Sequence, residues 1–199
     1  WGALRVLLDP RRVELVDAPE LGLLLAEADL RSGFLQAAYD LVEQVLPDLA
    51  TRRLDGLQRR AVNLLGAAAF ELGATEVAER HFQHGLALAQ QASDYRMAGH
   101  TTTNLGMIAH LRGCYDEAIG LYQLAVAAFQ QVGFVRGLGE VHHNLALAWR
   151  ELGQLDRADR HARRAIAYAE EAGDDRLLAM AHVGRAELYL RRGEPVVAE

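Results

Sequence analysis

A recurrence at forty-residue spacing constrains this chain more than any other feature it carries. Gly33, Gly73, Gly113, Gly153 and Gly193 are evenly spaced, and five residues after each stands an alanine: Ala38, Ala78, Ala118, Ala158 and Ala198. Seven residues before each stands another small residue: Ala26, Gly66, Gly106, Ala146 and Ala186. In the central copy, Asn104 to Ile119 reads as a helix, a glycine-broken turn and the start of a second helix. Self-similarity at a fixed period of this length predicts an all-α solenoid of stacked antiparallel helix hairpins. Such a fold presents a surface for binding other molecules, without naming the partner.

Close helix crossing explains the residue types. A glycine lets the chain leave the first helix through a left-handed conformation with no Cβ penalty. The two small positions fall where the helices of a hairpin approach, so a large side chain there would push them apart. Leu65, Leu105 and Leu145, each just before the small residue, are expected to form the apolar body of the core.

The pattern Asn104-Leu105-Gly106, a gap, then Gly113-x-Tyr115-Asp116-Glu117-Ala118-Ile119 with Tyr122 and Ala125, resembles the tetratricopeptide repeat. The match extends over residues 20–199 in five phased copies. The resemblance implies a right-handed superhelical α-solenoid. The family's usual period is shorter, which implies longer helices here. The long-period form resembles repeats in bacterial signal-transduction proteins, including MalT-like activators and peptide-pheromone receptors.

Composition narrows the function classes. The 199 residues carry a formal charge of −6, which argues against non-specific nucleic-acid binding. All 21 basic residues are arginine. Apolar residues make up 51%, largely alanine and leucine, favouring helix, yet no unbroken run is long enough to span a membrane. Cys114 is the single cysteine, so no internal disulfide is expected and a reducing, cytoplasmic setting fits. Beginning at Trp1 and stopping just after Pro195, the sequence reads as an excised fragment.

Residues 1–19 read as the end of a preceding repeat, stopped at Asp9-Pro10, with Asp17 as an N-cap and Pro19 in the first turn. The repeats then fall at 20–52, 53–93, 94–133, 134–173 and 174–199. Helices are expected over 20–31, 35–50, 53–72, 75–92, 94–112, 115–132, 135–152, 155–172 and 174–192. Pro47 is expected to end the second early, and Pro195 to open a further helix. Ser93-Asp94 and Gly173-Asp174 read as a helix stop followed by an N-cap, and Gly133 marks the equivalent break. Within hairpins, Ala69 with Phe82, Ala109 with Tyr122 and Trp149 with Ala162 each pair one large residue with one small one, as conserved interior volume requires. Asp29 with Val42 breaks this rule: either the first repeat is irregular, or Asp29 finds a polar partner.

In the family the first helix of each pair lines the concave groove. At helical spacing that face carries Arg60, Asn63, Ala67 and Phe70; then His100, Thr103, Asn104, Met107 and His110; then Glu140, His143, Asn144, Leu147 and Arg150. Amides can bond an extended peptide backbone, Phe70 and Met107 can hold apolar side chains, and arginines can hold carboxylates. The resemblance places Asn104 and Asn144 where family members contact a bound peptide; the alternative is that they bond neighbouring helices. The family's lysine-rich carboxylate clamp is missing. His142 and His182 are expected to be buried packing residues, and Arg96, Arg136 and Arg176 to bridge to carboxylates of adjacent helices. His100, His110 and His143 could converge on a metal, but no His-x-x-x-His or Cys-x-x-Cys pair supports it. No nucleophile motif or phosphate loop points to an enzyme, and no cofactor is implied. The expected function is a protein- or peptide-binding segment of a larger bacterial signalling or regulatory protein. The alternative is a spacer or self-association scaffold, with a possible homodimer.

Overall fold

The computed structural model describes residues 18–193, and every regular element among them is an α-helix. In order they are α1 (Pro19–Arg31), α2 (Leu35–Thr51), α3 (Asp55–Glu71), α4 (Thr75–Gln91), α5 (Tyr95–Leu111), α6 (Tyr115–Gln131), α7 (Val135–Glu151), α8 (Leu155–Ala172) and α9 (Asp175–Arg192). The chain divides between Ala92 and Ser93 into two compact units. In the first, α1 packs with α2 and α3 with α4; in the second, α5 packs with α6 and α7 with α8. Alternate helices also touch, α1 with α3 in the first unit, α5 with α7 and α7 with α9 in the second. The expectations at Asp9-Pro10, Asp17, Pro195 and Ala198 fall outside the described residues.

All five period glycines adopt positive φ, from 70° at Gly153 and Gly193 to 83° at Gly33. At Gly113 the reason is visible in the hydrogen bonds. Gly113 N–H donates to the His110 carbonyl and Cys114 N–H to the Ala109 carbonyl, both at 2.9 Å. This paired closure satisfies carbonyls that the helix end would otherwise orphan, and it needs a left-handed residue between them. At the turns between hairpins the left-handed positions are Arg53 (φ 55°), Ser93 (φ 53°), Gly133 and Gly173. Asp94 and Asp174 cap their helices as expected, accepting from Met97 and Leu177 N–H at 3.0 Å.

The close crossing is real at the small positions. A Cβ on Gly66 would stand 2.5 Å from the Phe82 ring, and one on Gly106 would stand 2.5 Å from the Tyr122 ring. Phe82, Tyr122, Ala69 and Ala109 are all buried, and Ala109 and Tyr122 share one core cluster. In the α7/α8 hairpin the ring comes from the other helix, as Trp149 packs on Ala146, Ala158 and Ala162. Leu65 and Leu145 are buried as expected, whereas Leu105 is only half-buried. Asp29 is fully buried and not without a partner, in line with the second of the two alternatives.

Three expectations need correction. Helix α2 runs through Pro47 to Thr51. Pro47 sits on the exposed face, so the carbonyl it leaves unbonded, on exposed Glu43, faces water while buried Val45 and Leu49 hold the helix down. His182 is exposed, because no described helix covers that side of α9. Its counterpart His142 is 3% exposed, stacked flat on Tyr168 and joined to His161 through Nδ1···Nδ1 at 2.9 Å. Arg96 lies with its guanidinium 4.2 Å from the centre of the Phe134 ring, a cation–π contact rather than a bridge to a carboxylate. Arg136 does bridge as expected, to Asp174 at 3.0 Å and Glu140 at 3.1 Å.

Candidate functional site

The face formed by the first helix of each hairpin is described unit by unit. In the first unit, Arg60 on α3 is ion-paired to Glu27 on α1, so its guanidinium is already matched to a carboxylate. Asn63, Ala67 and Phe70 are half-buried beside it, and the Asn63 amide has a partner within the protein.

In the second unit the same register divides into two groups. His100 and Thr103 leave the face. The His100 imidazole stands edge-on to Phe129 and Phe134, at ring separations of 5.2 and 5.3 Å. Thr103 is buried and donates its hydroxyl to the Gly99 carbonyl at 2.8 Å. Three consecutive threonines explain this local choice. Thr101 and Thr102 donate to carbonyls one turn back in the same way, so α5 satisfies its own hydroxyls as it packs. Asn104 is half-buried and bonded within the protein, and Met107 packs partly into the core cluster around Tyr122. His110 sits edge-on to Tyr115 at 5.2 Å.

On α7 the expected residues come together with α9. His143 and Leu147 lie against Gly184, where an added Cβ would stand 3.4 Å from the His143 ring and 4.0 Å from the Leu147 side chain. Arg150 pairs with Glu187 of α9 and with Glu151 at 3.0 Å, while Arg191 reaches Glu151 at 3.5 Å. Glu140 is held by Arg136. The arginines expected to hold ligand carboxylates therefore hold the protein's own. Asn144 differs from Asn63 and Asn104: it is half-buried, and its amide has no hydrogen-bond partner among the described residues.

Electrostatics make this face neutral in character. Burial, then Arg150, push the His143 imidazole below its ordinary range, with Glu187 opposing. Burial does the same to His110, Glu151 pulling upward and Arg150 downward. Burial, Arg96 and Arg136 lower His100 to about 4. Burial works against the ionised Glu151 carboxylate, but Arg150 and Arg191 outweigh it and hold the group below its usual range. Neutral imidazoles can each donate and accept one hydrogen bond, which suits peptide groups better than anions. Among the described residues no cluster of three His, Cys, Asp or Glu side chains could hold a metal, so His100, His110 and His143 do not converge on one.

Sequence reasoning stopped one helix short. Met180, Val183 and Leu190 on α9 occupy the register of Glu140, His143 and Arg150, and are 41%, 60% and 69% exposed. Adding forty once more to the α7 positions would have found them.

With this geometry in view, residues 98–171 match the family model for the tetratricopeptide repeat. No curated protein matches the chain in sequence. Solved structures share its fold. Aspartyl phosphate phosphatase F from Bacillus subtilis superposes with a TM-score of 0.81 at 19% identity, over 87% of this chain and 45% of that one. A Rap protein complexed with competence and sporulation factor gives 0.80 at 22%, over 90% and 50%. A signal transduction ATPase with numerous domains, from Pyrococcus horikoshii and carrying a tetratricopeptide repeat sensor, gives 0.71 at 16%, over 86% and 27%. Residues 98–171 thus carry the tetratricopeptide repeat pattern, the described chain is all-α and built of helix hairpins like these structures, and it spans half or less of the length of these three. Among the described residues no helix is long and apolar enough to cross a membrane.

Proposed function

We propose that this chain is a protein- or peptide-binding module that takes an extended segment along the first-helix face of its second unit, within a larger bacterial signalling or regulatory protein. One observation carries the reading: Asn144, half-buried on α7 between His143 and Leu147, offers an amide that the described protein does not use. An amide in that position can satisfy one N–H and one C=O of a peptide backbone. The exposed Met180, Val183 and Leu190 stand on α9, whose Gly184 packs against His143 and Leu147, and supply apolar contact for side chains of the same segment. Support from the fold comes from the Rap protein found with competence and sporulation factor and from the repeat sensor of the Pyrococcus ATPase.

The test uses a peptide selected on this chain from a random library and titrated calorimetrically. Asn144→Ala is expected to weaken binding roughly fivefold or more, the cost of leaving backbone groups of the ligand unpaired, with little change in melting temperature. Asn104→Ala, whose amide is already engaged, is expected to lower the melting temperature instead. Unchanged affinity in both Asn144→Ala and Leu147→Ala would place the binding surface elsewhere.

A further inference from the structure

Helix α8 carries Arg157, Arg160, Arg163 and Arg164 within eight residues. Spacings of three and four put Arg157, Arg160 and Arg164 along one side of the helix, and all three are exposed. Of the other described arginines of the second unit, Arg176 at the start of α9 has no ion pair with a described residue, and most of the rest are answered. Arg136 has Glu140 and Asp174, Arg150 has Glu151 and Glu187, and Arg191 has Glu151. Arg163 and Arg185 share Asp159, and Arg96 covers Phe134. Arg157 lies 4.5 Å from the centre of the Trp149 ring, which spreads but does not cancel its charge. Arg160 and Arg164 have no carboxylate partner among the described residues. Both bias the His161 ring toward its neutral form, and Arg164 does the same to His142. Asp156, itself engaged in the protein, stands one turn before Arg160. Arg160 and Arg164 are like charges one turn apart without an ion pair of their own among the described residues, so this side of the helix keeps exposed guanidinium groups in a chain of net charge −6.

We propose that Arg160 and Arg164, backed by Arg157, form a docking stripe for an acidic peptide segment of a protein partner, on the outer helix of its hairpin and apart from the first-helix face. Two guanidinium forks one helical turn apart match two carboxylates at similar spacing, each pair closing through parallel N–H···O bonds. A long polyanion or an anionic bilayer fits less well, because the negative charge of the whole chain repels an extended anionic surface that a short segment avoids.

The experiment titrates the full chain against a fluorescent hexaglutamate peptide with neutral flanks, by anisotropy at low and physiological salt. Binding weakened about tenfold or more in Arg160→Gln/Arg164→Gln, and little in an Arg176→Gln control, is the result expected when two charge-assisted contacts are lost. Thermal melts should be unchanged, since both side chains are exposed. Equal binding by the double variant and the wild type would overturn the proposal. So would tighter binding of single-stranded RNA or phosphatidylserine vesicles in parallel titrations. A salt-sensitive doubling of the chain's mass that the double variant abolishes would also overturn it, because the acidic ligand would then be a second copy.

Discussion

The hairpins α5/α6 and α7/α8 fill the same space in opposite ways. In α5/α6 the first helix is cut back to glycine at Gly99 and Gly106, and the second fills the gap with Phe129 and Tyr122. In α7/α8 the second helix carries buried Ala162 and Ala169 where α6 has Tyr122 and Phe129, and the first supplies Trp149. The interiors also differ in polarity. In α5/α6, Phe129 packs on His100 and on Phe134 of the following turn, whereas α7/α8 encloses a hydrogen-bonded histidine pair, His142 with His161, with His142 stacked on Tyr168. The repeat thus conserves the volume between its helices but not which helix provides it. That is why residue-by-residue comparison of the copies makes them look less alike than they are.

The largest test of this symmetry removes a ring. Tyr122→Ala is expected to cost roughly 3–5 kcal/mol, as for other fully buried aromatic truncations. In the opposite hairpin, Ala162→Phe should overpack at a cost of about 1–3 kcal/mol, and adding Trp149→Ala should recover much of it. Denaturant melts of these three variants and of Trp149→Ala alone read both effects. Strict additivity of the Ala162 and Trp149 changes would show that these side chains do not share a space.

Acid should strain the two hairpins by different routes. Burial, the facing His161 and Arg164 lower His142 to about 4, and burial with Arg164 and Arg160 lowers His161 to about 4. Unfolded histidine titrates near 6.5, so between about 6.5 and 4 the unfolded chain binds more protons than the folded one, and stability falls as the pH falls. Above that window the stability is fully present. Each depressed ring is worth at most roughly 3 kcal/mol, and the two share one hydrogen bond, so their effects do not simply add. Urea melts from pH 7 to 4 should show this slope. His142→Phe should flatten it, leaving the part contributed by His100 in α5/α6. An unchanged slope in that variant would remove the histidine pair from the account.

The smallest expected effects lie at the turns. An added Cβ at Gly113 meets nothing within 4 Å, so Gly113→Ala isolates the backbone cost of a left-handed residue, about 1–2 kcal/mol. The reverse change is available at Ser93, which is left-handed without being glycine. Ser93→Gly is expected to gain up to about 1 kcal/mol, less the extra entropy glycine brings to the unfolded chain. A loss at Ser93 would mean that the serine side chain, rather than the turn's φ, is what matters there.

The fold was legible in the sequence because its determinants are local and repeated. Gly113 needs its φ for the turn it sits in, and Gly106 must be small because Tyr122 faces it from the other helix of the same hairpin. The candidate face was legible only in outline. Spacing placed His100 and His143 in one register, yet two phenylalanines enclose His100 while Gly184 of α9 leaves room beside His143. Met180, Val183 and Leu190 obeyed the same count and were missed because it ended at α7.

From the chain alone, then, came the period, the left-handed turns, the small crossing positions and the all-α class, since each depends on backbone conformation or on a neighbour a fixed distance along the sequence. Tertiary structure alone decided which polar groups are still available. Arg60 and Arg150 have spent their charge on Glu27 and Glu187, from the neighbouring first helices α1 and α9. His182 is exposed although its repeat-mate His142 is buried, and the Asn144 amide lacks a partner among the described residues although those of Asn63 and Asn104 have one. Whether a side chain is free depends on what packs over it, and in a stack of hairpins that covering comes from the next helix pair, whose side chains the period does not dictate.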